Sequence, residues 1–112
     1  MGSRTNFIVK QEQGYVTLYS HWGGDSKMKD LAYALDKAKP RWSDVGYATR
    51  ILFNALQNEH ESETGYGIYA GEIGGEESYE YTVIDFTDQS VRVDGITVPF
   101  NLFIESQLGV RV

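Results

Sequence analysis

The sequence predicts an α+β fold of two strands, two helices and then about four strands. The sheet is expected to be largely antiparallel, with the helices packed on one face. Three observations predict this. The first twenty residues hold two short runs rich in β-branched and aromatic side chains. The stretch from 27 to 58 places apolar residues at helical rather than alternating spacing. After it come four more β-rich runs, separated by glycine, aspartate and other turn residues. Strands, then paired helices, then strands again argue for α+β layers rather than repeated βαβ units.

Taken in order, residues 1–5 are read as a disordered or vector-derived lead and 6–112 as a single α+β domain. Asn6–Lys10 and Tyr15–Ser20 form a hairpin, with Gly14 in its turn free to take positive φ. Asp25 or Ser26 is a natural helix cap, followed by Met28, Leu31, Ala32 and Leu35 on one face. Pro40 stops that helix, because proline lacks the amide donor and restrains the residue before it. Ser43 caps a second helix with Ala48, Ile51, Leu52, Ala55 and Leu56 as its stripe and an end near Gln57 or Asn58. Gly46 would cost about 1 kcal/mol relative to alanine if it lay in the helix interior. The strands Tyr66–Ala70, Tyr79–Phe86, Ser90–Val93 and Ile96–Phe100 follow. Asp94-Gly95 is a two-residue hairpin signal, and Asn101–Gln107 form a short helix.

Composition narrows the function classes. The 112 residues contain no cysteine, which excludes disulfides, thiolate chemistry and cysteine zinc sites. No run approaches the roughly 18 apolar residues of a membrane span, and no signal-peptide core follows Met1, so a cytoplasmic location is expected. The net charge is −6 and unevenly spread. Residues 27–50 carry six Lys/Arg against three Asp/Glu, whereas 59–94 carry one Arg against ten acids. Duplex nucleic acid is a poor partner for such a chain, since that binding needs a basic face. The two charged stretches either pair within the fold or form two poles, one for an anionic ligand and one for a basic protein.

Candidate ligand-binding residues fall in three clusters. His21, Trp22, Gly23 and Gly24 lie between a strand and a capped helix, where unpaired amides attract anions and glycines let a ligand approach the backbone. A tight strand-to-helix turn is the competing structural reading, and Asp25 carries the wrong charge for a phosphate. Arg41, Trp42 and Arg50 form a basic and aromatic group able to grip phosphate or carboxylate; pairing of Arg50 with an acid such as Glu63 is the structural alternative. Tyr66 and Tyr69 alternate with Gly65, Gly67 and Gly71 and suit stacking on a planar ring. Their odd spacing, however, sends them to opposite faces of a strand. No cofactor or metal is expected: His60 among Glu59, Glu61 and Glu63 reads as a solvated loop, without the spacing of a known metal motif.

Three fragments together resemble a group of small uncharacterised proteins of bacteriophages and actinobacteria. They are Tyr19-Ser20-His21-Trp22-Gly23-Gly24, Arg41-Trp42-Ser43-Asp44 leading to Ala48-Thr49-Arg50-Ile51, and Glu63-Thr64-Gly65-Tyr66-Gly67-Ile68. The resemblance covers about residues 6–70 and carries no catalytic residue with it. What it implies is a setting: a phage accessory protein that manipulates its host, for instance in anti-defence. The preferred reading is therefore a non-catalytic protein that sequesters a small anionic or nucleotide-like signalling ligand. An acidic inhibitor or adaptor of a host protein is the alternative, and a phosphodiester hydrolase using His21 as general base the second alternative. Unblunted sheet edges invite self-pairing, so a homodimer or higher homo-oligomer belongs to the expectation.

Overall fold

The computed structural model describes residues 5–20, 27–58, 66–71, 80–93 and 95–109. The elements run β1 (Thr5–Lys10), β2 (Tyr15–Ser20), α1 (Lys27–Ala38), α2 (Val45–Asn58), β3 (Tyr66–Gly71), β4 (Glu80–Asp85), β5 (Ser90–Val93), β6 (Ile96–Pro99) and α3 (Phe100–Leu108). The α+β class is as expected. The six strands form one sheet in the order β3-β2-β1-β4-β5-β6. All neighbours are antiparallel except the central pair, where β1 and β4 run parallel with Val9 beside Ile84.

The register sorts the side chains by face, because residues paired across a ladder point the same way. Phe7 pairs with Leu18, Val9 with Ile84, and Ile84 with Val91. All five belong to one buried cluster with Leu31 and Leu35 of α1, Leu52 and Leu56 of α2, and Phe103 and Ile104 of α3. The described helices therefore share one face of the sheet. The other face carries Ile8 between Thr17 and Val83, with Tyr69 beyond Thr17 and Arg92 beyond Val83. Ile8 is 1% exposed there.

Thr5, expected in the lead, is the first residue of β1; it pairs with Ser20 and is fully buried. As expected, α1 stops short of Pro40, at Ala38. The chain tightens into a 3-10 turn over Lys39–Arg41, whose first positions tolerate a residue without an amide proton. The Trp42 amide then donates to the Lys39 carbonyl at 3.2 Å, and the Asp44 amide to the Arg41 carbonyl at 2.9 Å. Gly46 falls in the first turn of α2, outside the interior where it would weaken the helix most. Val93 pairs with Ile96, leaving Asp94-Gly95 as a two-residue connection with Gly95 at φ 80°. Phe100, expected to close the last strand, instead opens α3 and is 1% exposed. Gly109 ends α3 in the left-handed region at φ 71°, its amide donating to the Glu105 carbonyl at 2.8 Å. No described helix is long and apolar enough to cross a membrane.

Candidate functional site

Parallel pairing of β1 with β4 sets their C-terminal ends side by side, and an ion pair of 3.8 Å between Lys10 and Asp85 marks that end. The turns leaving the two strands therefore emerge together. The first, Gln11 to Gly14, is closed by the Gln11 amide donating to the Gly14 carbonyl at 3.0 Å. The second, Phe86 to Gln89, is shaped by the Asp88 amide donating to Asp85 Oδ1 at 3.0 Å. Gln89 stands at φ 53°, the only described non-glycine residue with positive φ. Such a backbone costs roughly 1 kcal/mol or more and persists only where its surroundings impose it. Its carbonyl accepts the Phe100 amide at 2.8 Å, which ties the turn to the start of α3.

The start of α2 joins the same end. Gln11 donates through Nε2 to Thr49 Oγ1 at 3.1 Å, and the Thr49 hydroxyl donates back to the Val45 carbonyl at 2.6 Å. Trp42 enters from the loop before α2 with 7% of its surface exposed. Its indole N–H donates to the Leu35 carbonyl of α1 at 2.9 Å, and its ring packs against Phe100 of α3 at 4.8 Å between centroids. Phe86 meets the same Phe100 ring edge-on at 5.3 Å.

These pieces enclose a cavity of about 400 Å3, open to solvent. Trp42, Phe86 and Val45 supply its apolar surface; Gln11, Ser43, Thr87 and Gln89 supply amide and hydroxyl groups; Glu12 and Asp44 supply carboxylates. Two cations precede Trp42 in the chain without lining the cavity themselves. Lys39 Nζ lies 5.8 Å from the Trp42 ring centroid, and the Arg41 guanidinium lies 4.4 Å from that of Tyr47, on the first turn of α2. Among the described residues, no three His, Cys, Asp or Glu side chains gather as metal ligands.

The described candidates from the sequence are dispersed. Arg41 is exposed and stacks on Tyr47; Arg50 is exposed one turn further along α2. Trp42 is mainly a core residue whose remaining surface faces the cavity. Tyr66 and Tyr69 lie on opposite faces of β3, as their odd spacing demands. Tyr66 packs against the core, whereas Tyr69 is 59% exposed on the helix-free face. There its ring lies over Gly67, whose bare Cα leaves room: a Cβ at Gly67 would sit 3.2 Å from the Tyr69 hydroxyl. His21, Trp22, Gly23 and Gly24, the Asp25 or Ser26 cap, His60 with Glu59, Glu61 and Glu63, and the acids at 72–78 lie outside the described residues. Of the acidic stretch 59–94, whose pairing with 27–50 the sequence left open, Asp85 pairs instead with Lys10 of β1. Sequence reasoning missed Gln11, Glu12, Phe86, Thr87 and Gln89, which become neighbours only through the strand order. A comparison of the chain with known protein families, curated proteins and solved structures finds no match.

Proposed function

We propose that this protein is a non-catalytic binding module that takes a small, anionic, nucleotide-like ligand in the cavity at the C-terminal ends of β1 and β4. The observation that supports the reading is a cavity walled by the small exposed parts of Trp42 and Phe86 together with amide, hydroxyl and carboxylate groups, with Lys39 near the Trp42 ring and Arg41 next to it in the chain. A cavity of about 400 Å3 falls within the range of small-ligand sites. In this reading the ligand's ring lies along Val45 and the small part of Trp42 that faces the cavity. Its amino or hydroxyl groups donate to Glu12 and Asp44, which repel phosphate, and its anionic end turns outward to Lys39 and Arg41. The strained Gln89 supports the same location, since unfavourable backbone clusters where binding surfaces are built. In the phage setting that the resemblance implies, such a module withdraws a signalling nucleotide from its host.

The test is a thermal-shift and calorimetric screen of mono-, di- and cyclic nucleotides. A ligand at one hundred times its Kd should stabilise the fold by about 2.7 kcal/mol. K39A and R41A should each weaken binding about tenfold, the loss of one charge-assisted contact. If no nucleotide raises the melting temperature, or if binding is indifferent to both substitutions, the reading fails.

A further inference from the structure

The solvent side of the helix layer carries a charge opposite to that of the whole chain. On α1, Lys29, Tyr33 and Lys37 recur four residues apart and are all exposed, while Leu31, Ala34, Leu35 and Ala38 are buried. On α2, Tyr47, Arg50 and Asn54 form a second exposed stripe. α1 touches both α2 and α3, so its stripe runs along the middle of the layer. Tyr33 is 43% exposed and Tyr47 54%. Each ring has a cation over it: Lys37 Nζ lies 5.3 Å from the Tyr33 centroid, and the Arg41 guanidinium covers Tyr47. The exposed acids of this stretch, Asp36 and Asp44, are outnumbered by its exposed cations. Lys29, Lys37 and Arg50 have no ion-pair partner among the described residues, although the chain holds 16 acids. The third helix, α3, has no cation and a single acid, Glu105. No residue of the two stripes lines the cavity.

We propose that the outer side of α1 and α2 is a docking surface for an acidic segment of another protein. Asp and Glu side chains of that segment meet Lys29, Lys37 and Arg50, and an apolar residue rests on the exposed parts of Tyr33 and Tyr47. Packed helix axes lie about 8–10 Å apart, so one segment can reach both stripes. Charge complementarity names the occupant. Cations left unpaired in an acid-rich chain keep their donors for a partner's carboxylates. Tyrosine and arginine are also the side chains that protein interfaces favour. Size decides against nucleic acid. Charges act over about 8 Å at physiological salt, so a short segment feels mainly the basic layer. A phosphate chain extends past it and meets a protein of net charge −6. The surface is separate from the cavity, and its role does not depend on what the cavity binds.

Two short synthetic peptides test this, sharing a central pair of leucines and differing only in flanking glutamates or flanking glutamines. The glutamate peptide should bind the intact protein about tenfold more tightly at low salt, the worth of two or three exposed ion pairs. The preference should shrink in high salt, and amide NMR shifts should move along α1 and α2 but not in β5 or β6. K29E/K37E should abolish the preference while leaving the glutamine peptide's binding unchanged; a substitution that merely loosened the fold would weaken both. Should that variant fold poorly, the peptide pair on the unaltered chain still decides. Equal binding of the two peptides, or shifts away from α1 and α2, would overturn the proposal. So would an oligothymidine of equal charge that binds the layer more tightly than the glutamate peptide, or self-association that occupies α1 without peptide.

Discussion

On the helix side of β1, Phe7 and Val9 are 2% and 0% exposed within the cluster that the three helices share. On its other side, Asn6 and Ile8 are 4% and 1% exposed, and no described helix covers them. The two faces thus reach the same burial by different means. One is packed by a second layer, where side chains from five or more elements interlock. On the other, Ile8 lies between Thr17 and Val83 of the neighbouring strands, with Tyr69 and Arg92 further out. Equal burial need not mean equal sensitivity to a cavity, because the loss depends on how far the neighbours of the removed side chain can settle into the gap.

Substitutions can break or sharpen that contrast. The largest loss is expected for F100A, since Phe100 is held between Trp42 and Phe86: about 3–5 kcal/mol by chemical denaturation. I8A should cost about 2 kcal/mol, the lower end for such a truncation, as neighbours settle into the gap. A loss as large as that of F100A would show the helix-free face to be packed as rigidly as the helix face. T82V tests the helix side from the opposite direction. The Thr82 hydroxyl is buried and has no hydrogen-bond partner among the described residues, so its replacement by a methyl should stabilise by about 1 kcal/mol. Q89G should stabilise by about 0.5–1 kcal/mol as the positive φ becomes unstrained. It should also weaken ligand binding in the cavity, and calorimetry on the variant checks both. The smallest effect is expected for K10M at the rim of the helix-free face. Lys10 and Asp85 are 53% and 23% exposed, and their pair should contribute less than about 1 kcal/mol, falling with added salt.

The local pattern was legible because each element carries its own signal. Leu31, Ala32 and Leu35 announce α1, Asp94-Gly95 announces the β5–β6 hairpin, and the odd spacing of Tyr66 and Tyr69 announces opposite faces. What could not be read is which strands become neighbours. The pairing of β1 with β4 depends on side chains far apart in the chain, and no periodicity encodes it. The candidate cavity inherits that blindness, since Gln11 and Glu12 meet Thr87 and Gln89 only because of the parallel central pair. Trp42 shows the same limit in one residue. Next to Arg41 it reads as a ligand-stacking ring, yet its indole is mostly spent holding α1 and α3 together. Phe100 was assigned to a strand because β-branched and apolar residues precede it; the tie from its amide to Gln89 fixes a helix start instead.

The central parallel pair is also the most distant pairing in sequence within the sheet. The β1–β2 and β5–β6 hairpins close short loops and can form early, as can the contact of α1 with α2 through a brief turn. The β1–β4 ladder joins the first strand to one that follows most of the chain, and its loop-closure entropy is the largest in the sheet. The middle of this sheet is thus the seam that closes the longest loop. During synthesis the inner border of β1 stands unpaired until β4 has been made, although it becomes among the best protected in the finished fold. Refolding should accordingly be slow for a chain of this size, and prone to trapping when concentrated, for as long as that seam is open.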